Sequence, residues 1–165
     1  MGNRPRANEW IDLAIARALR TGEMLAVMYI DLDGFKPVND NYGHPAGNVV
    51  LKEVSGRLGN TIRQTDSAFR LGGDEFLILI EGLTNPLDAE TVARKLMTTI
   101  GSPIALENAV VQVNASIGIA DLSPPASLGR VALLACADDA LYQAKQEGKN
   151  TFCVAKDSST NIAGS

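Results

Sequence analysis

Two apolar runs, residues 68–71 and 76–80, meet at Gly72-Gly73-Asp74-Glu75, and this junction constrains the fold more than any other stretch of the chain. Such runs joined by a Gly-rich apex read as a β-hairpin with an exposed acidic tip, because glycine supplies the positive φ of a tight reversal. A hairpin requires an antiparallel pair. Elsewhere the chain alternates helical and extended patterns. Apolar residues at three- and four-residue spacing predict helices over 10–19, 48–58, 87–100 and 133–145. Thr21-Gly22 closes the first helix, and Asn85-Pro86 opens the third with Asp88 as its cap. Strands are expected at 25–30, at 109–120 and, briefly, at 151–155. The stretch from Gly34 to Gly47 carries turn formers and reads as a loop. Together these elements predict an α+β fold with a central mixed, largely antiparallel β-sheet flanked by helices. A single domain over residues 9–156 is expected, between a flexible N-terminal segment (1–8) and a flexible tail (157–165).

The chain has 165 residues, 45% of them hydrophobic, which suffices for one self-supporting core. Fifteen basic against nineteen acidic residues leave a net charge of −4, which argues against a general nucleic-acid polymer surface while leaving room for a local phosphate pocket. Cys136 and Cys153 form no CxxC, so neither a disulfide framework nor a cysteine zinc site is indicated. Free thiols fit a reducing cytoplasm. No apolar run reaches the length of a bilayer span, and a membrane-bound or sensory parent polypeptide is compatible with a domain of this size.

Candidate chemistry gathers at two acidic points. Asp31 and Asp33 follow the apolar run 25–30 at a spacing that puts both side chains on one face of a strand extending that far. Asp74 and Glu75 occupy the hairpin tip. Neighbouring strands would let these groups converge on one hard cation; Mg²⁺ or Mn²⁺ suits carboxylates accompanied by phosphate oxygens. Lys36 and the amides near Gly34 and Phe35 can meet terminal phosphates. No Gly-x-x-x-x-Gly-Lys-Ser/Thr loop is present, which disfavours a motor ATPase or GTPase. Each feature taken singly has an ordinary reading: solvated strand-end aspartates, a plain hairpin turn, a surface lysine. In combination they point to a metal-and-phosphate site.

The blocks 31–44, 72–76, 115–118, 137–145 and 148–150, in this order and spacing, resemble the GGDEF family of diguanylate cyclases across nearly the whole chain. The resemblance implies the palm-like fold of nucleotidyl cyclases. It also implies condensation of two GTP into cyclic di-GMP and two pyrophosphates across a transient homodimer, with Mg²⁺ or Mn²⁺. Asp31 and Asp74 match metal ligands, with Leu32 offering its carbonyl. Glu75 matches the acidic position that helps bind metal or activate the ribose 3′-hydroxyl. Gly72 and Gly73 shape the substrate side of the tip, and Phe35 and Lys36 lie at the terminal phosphates. Asn39 matches the guanine-reading asparagine. Lys145 and Lys149 match phosphate-binding positions, although Lys149 stands where arginine is common and lacks its bidentate fork. Arg63 and Asp66 fit the Arg-x-x-Asp product-inhibition motif, where cyclic di-GMP would bind; Arg94, from the same or another chain, is a candidate to complete it.

Asn48 departs from the family's aspartate. One carbonyl acceptor and one amide donor replace two acceptors for the guanine edge. The implied cyclase therefore has two rivals: a catalytically silent module that binds GTP or cyclic di-GMP, and a relaxed cyclase that makes cyclic GMP-AMP. Sensory or regulatory partner domains in a parent protein are implied by all three. Other residues read as structural. His44 organises its loop, Cys136 and Cys153 pack in the core, Trp10 anchors the first helix, and Tyr142 lies on the core face of the last.

Overall fold

In the computed structural model, which describes residues 1–126 and 128–155, the run expected at 25–30 is the middle of a longer strand, β1 (Met24–Asp33). Its side chains alternate between two cores. Ala26, Met28, Ile30 and Leu32 enter one, and Leu25 and Val27 enter the other, so the sequence is continuously apolar instead of alternating. The expected hairpin is present as β2 (Ser67–Gly72) and β3 (Glu75–Leu83). β3 pairs antiparallel with β1 on its other edge.

The stretch read as one strand over 109–120 is divided. Val110–Val111 forms a two-residue strand, β5, paired with β4 (Ile104–Ala105) in a small separate ribbon. β6 (Asn114–Leu122) alone joins the main sheet, antiparallel to β1. β7 (Phe152–Val154) adds in parallel to β6, which gives the order β2-β3-β1-β6-β7 and the expected mixed, largely antiparallel sheet.

Helices cover both faces. α1 (Arg4–Thr21) and α5 (Arg130–Gln146) contribute Ile11, Ala14, Leu133 and Ala137 to the core beneath one face. α2 (Phe35–Tyr42), α3 (His44–Thr61) and α4 (Pro86–Ile100) cover the other through Phe35, Val54 and Leu96.

Several boundaries correct the sequence reading. α1 begins at Arg4, inside the segment expected to be flexible, because the Asn3 side chain accepts from the Arg6 amide at 3.2 Å and Pro5 fits the first turn. Gly2 is held as well, bridging to Phe69 with its carbonyl accepting from the Arg70 amide at 3.0 Å. The presumed loop 34–47 contains α2, whose Phe35 and Val38 are buried at helical spacing despite the turn-forming residues around them. Asn85, not Asp88, caps α4 through the Leu87 amide at 3.0 Å. Trp10 is 39% and Tyr142 67% exposed, so neither is the packing residue expected of it. Cys153 is buried in β7 and Cys136 half-buried against the α1/α5 core. The tail 157–165 lies outside the described residues.

Gly118 decides how closely α5 approaches the sheet. A Cβ there would stand 2.2 Å from both the Ala137 carbonyl oxygen and the Leu141 amide nitrogen. Both neighbours are backbone, so relief requires moving the helix. Gly118→Ala is therefore expected to cost about 3 kcal/mol, the upper end for overpacking, and to lower Tm by roughly 6–12 °C in thermal unfolding. A Tm within about 1 °C of the wild type would contradict this seating of α5.

Candidate active site

The sheet register assembles the acidic residues. Asp31 stands opposite Glu75 on one side and Ser116 on the other. The Leu32 amide donates to the Asp74 carbonyl at 3.2 Å, which ties the hairpin tip to the end of β1. At the tip Gly72 and Gly73 adopt φ of 149° and 50°, and Arg70 Nε braces the turn by donating to the Gly73 carbonyl at 3.1 Å. Arg70 lies within β2, where a single arginine in an otherwise apolar run carries no sequence signal of its own.

Lys145 reaches this cluster from the last turn of α5 and pairs with the Asp31 carboxylate. Burial works against its charge. The hydrogen bond to Asp31, together with the charges of Asp31, Glu75 and Asp74, outweighs it and holds the ammonium above its ordinary value. Asp74 is pushed upward, first by burial and then by the negative charge of Asp31, with Glu75 adding a smaller push. The cluster thus carries more negative charge than Lys145 neutralises. Its donors are oxygens, which suits a hard divalent cation. Among the described residues no three acidic, histidine or cysteine side chains form a ready-made cage. A Mg²⁺-type ion, which takes one or two carboxylates and completes its shell with phosphate and water oxygens, fits such a set.

The other expected residues divide. Lys36 lies in the first turn of α2, but its side chain is 88% exposed and pairs only loosely with Asp40, at 3.9 Å. Phe35 buries its ring, leaving its backbone amide at the start of α2, where no side chain caps the helix. Asn39 is half-buried with its Oδ1 against Gly47, where a Cβ would stand 1.8 Å away. Gly47 is therefore the reason Asn39 can lie between α2 and α3. Asn48, the next residue on α3, is exposed, as is Lys149 beyond α5. His44 starts α3 on the surface. A cleft of about 310 Å³ opens beside Glu75, between Tyr29 of β1 and Leu134 and Asp138 of α5.

Arg63 and Asp66 meet at the β2 edge. Arg63 donates to both Asp66 carboxylate oxygens, at 3.2 and 3.1 Å, and to the Glu81 carbonyl at 2.8 Å. The bond to Asp66 keeps the guanidinium raised above its ordinary pKa. Arg94 lies elsewhere on α4, over the Phe152 ring at 5.2 Å.

The family model described as "Diguanylate cyclase, GGDEF domain" matches residues 1–151. The bifunctional diguanylate cyclase/cyclic di-GMP phosphodiesterase MucR of Pseudomonas aeruginosa is 44% identical over 151 residues, covering 92% of this chain and 22% of that protein. The cyclic di-GMP phosphodiesterase PdeR of Escherichia coli is 37% identical over 152 residues, again 92% of this chain and 22% of the relative. The chain thus spans about a fifth of the length of these two relatives. Among solved structures, the GGDEF domain of TpbB (YfiN) from Pseudomonas aeruginosa superposes with a TM-score of 0.91 at 34% identity, covering 100% of this chain and 96% of that one. No helix among the described residues is long and apolar enough to cross a membrane.

The crowded carboxylates predict a pH effect. Asp74 binds its proton more tightly in the folded than in the unfolded state, so stability falls as pH rises from about 4 through the raised value and stays lower above it. Asp74→Asn is therefore expected to melt above the wild type in chelator-treated buffer at neutral pH. The gap should narrow as pH approaches 4. Thermal melts between pH 4 and 8 check this, and a variant less stable than the wild type at pH 7 would refute it.

Proposed function

The chain belongs to the GGDEF-domain family of diguanylate cyclases, and from that premise we propose that it condenses two GTP into cyclic di-GMP and two pyrophosphates. The carrying observation is the convergence of Asp31, Asp74 and Glu75 across the β1–β3 pairing, with Lys145 held against them. Each chain supplies one half-site, and two chains meet with their sites facing. In each half-reaction a ribose 3′-oxygen forms a bond to the opposite α-phosphorus, the bond to the β-phosphate oxygen breaks, and the hydroxyl proton leaves toward Glu75 or water.

A divalent ion held by Asp31, Asp74, Glu75 and the Leu32 carbonyl would supply charge neutralisation and polarise the α-phosphate. The protein's own part is orientation and charge. Asn39 and Asn48 face the guanine edge. The uncapped start of α2, with Phe35 and Lys36, takes the terminal phosphates, where helix-end amides and a lysine both favour anions. Lys145 and Lys149 add positive charge from the far side. Gly72 and Gly73 keep the tip free of side chains where the nucleotide approaches. Arg63 and Asp66 form the product-inhibition site, where binding cyclic di-GMP exchanges their mutual ion pair for contacts to the ligand; Arg94 from another chain would complete it.

A second reading, a silent regulatory module that binds GTP or cyclic di-GMP, is favoured by Asn48 and Lys149. The family resemblance to PdeR, whose name is that of a phosphodiesterase, is consistent with it. A relaxed cyclase that joins GTP and ATP is the third, because Asn48 leaves one guanine donor without an acceptor.

Product analysis at high protein concentration with Mg²⁺ or Mn²⁺ separates them, offering GTP alone and then GTP with ATP. Cyclic di-GMP is expected from GTP, with Glu75→Gln losing about 100-fold in rate or more. Asn48→Asp is expected to lower KM for GTP about tenfold. No cyclic product from demonstrated GTP-bound dimers would establish the silent module, and a mixed product the relaxed cyclase.

A further inference from the structure

We propose that Asp33 is a positioning residue: its carboxylate locks the turn Gly148-Lys149-Asn150 onto the end of β1 and so holds Lys149 at the rim of the acidic cluster. The nucleotide consequence rests on the cyclase reading above; the locking itself does not.

Asp33 shares a strand face with Asp31, yet its oxygens turn to the protein. Ser116 Oγ, on a fully buried residue of β6, lies 3.0 Å from Asp33 Oδ1 and 2.8 Å from Oδ2. The Asn150 backbone amide donates to Oδ2 at 2.9 Å. These contacts tie Asp33 to β6 and to the 148–150 turn, whereas Asp31 faces Lys145 and the other carboxylates.

The locked turn is an unusual one. Gly148, Lys149 and Asn150 have φ of 110°, 65° and 47° in succession, and Lys149 and Asn150 are the positive-φ non-glycine residues among those described. Asparagine tolerates this region, but lysine has no local reason to enter it. Such a backbone persists where its surroundings over-determine it. Here the Lys149 amide donates to the Ala144 carbonyl at 3.1 Å, and the Thr151 carbonyl accepts from Ile117 at 3.0 Å. Between them Asp33 adds a side-chain bond to the Asn150 amide. Its neighbour on that face, Asp31, draws Lys145 to the same place from the preceding helical turn. Two carboxylates spaced i and i+2 thus fix two lysine-bearing positions by different means: one by pairing with the ammonium, the other by gripping the backbone.

The test combines amide hydrogen exchange at residues 148–151 with steady-state kinetics for the wild type, Asp33→Ala, Asp33→Asn, Lys149→Ala and the Asp33→Ala/Lys149→Ala double variant. Asp33→Ala is expected to speed exchange at Asn150 about tenfold or more and to raise KM for GTP about tenfold, with kcat within about twofold. The double variant should be no worse than Lys149→Ala, because both act through one side chain. Asp33→Asn keeps a weaker acceptor and should fall between; if Asp33→Ala does not fold, exchange in Asp33→Asn decides, and wild-type protection there would overturn the proposal. Unchanged exchange in Asp33→Ala, or additive losses in the double variant, would also overturn it. So would a raised Mg²⁺ half-saturation at unchanged KM for GTP, which would make Asp33 a metal ligand. A wild-type chain that binds no GTP would refute the cyclase reading, while the exchange data would still decide whether Asp33 holds the turn.

Discussion

The antiparallel register of β1 underlies everything else in the molecule. Up to Ile30 the strand is apolar on both faces, so that stretch fits either side of the sheet almost equally well. Asp31 and Asp33 break the symmetry. A slip of one residue would turn both carboxylates into the core occupied by Val54, Leu58 and Leu96, where unpaired charge costs far more than a few apolar contacts return. The observed register puts them under the end of α5 instead, where Lys145, Ser116 and the Asn150 amide meet them. The polar end of the strand thus selects the register, and the register in turn sets Asp31 opposite Glu75.

That arrangement gathers negative charge deliberately. Asp74 sits half-buried beside Asp31 and Glu75, with its carboxyl displaced upward, and one lysine offsets part of the repulsion. Functional sites commonly sacrifice stability in this way. Arg63 and Asp66 present the opposite case. The Asp66 carboxylate, nearly inaccessible to solvent, is matched by Nε and Nη2 of one guanidinium and by the Arg63 backbone amide, so the pair is satisfied as it stands. Any ligand there must offer comparable bonds before it can separate them.

Much of this was legible from residue pattern. The hairpin, β1, and helices α3, α4 and α5 follow apolar periodicity that no tertiary effect overrides. α2 was hidden because Gly34, Pro37, Asn39, Asp40 and Gly43 are turn formers; Phe35 and Val38 make it a helix only by having a sheet to bury against. The break at residues 112–113 was hidden because Val110 and Val111 are strand formers that pair with β4 and not with the main sheet. Trp10 and Tyr142 looked like core by composition, yet which face of a helix meets the sheet depends on its docking.

The sequence by itself determined the classes of chemistry present: a glycine-rich acidic tip, a pair of aspartates at a strand end, a lysine at the end of the last helix, and an asparagine, Asn48, where the family resemblance implies aspartate. Spacing along one chain conveys these because each is local. Tertiary structure alone decided which of them act together. Lys145 lies 114 positions from Asp31, and Asn150 lies 117 from Asp33, and only the close seating of α5 over Gly118 brings either pair within hydrogen-bonding reach. Lys36, far nearer in sequence, points to solvent. Hydrogen bonds and charge interactions act over a few ångströms, so their partners are chosen by packing and not by order along the chain.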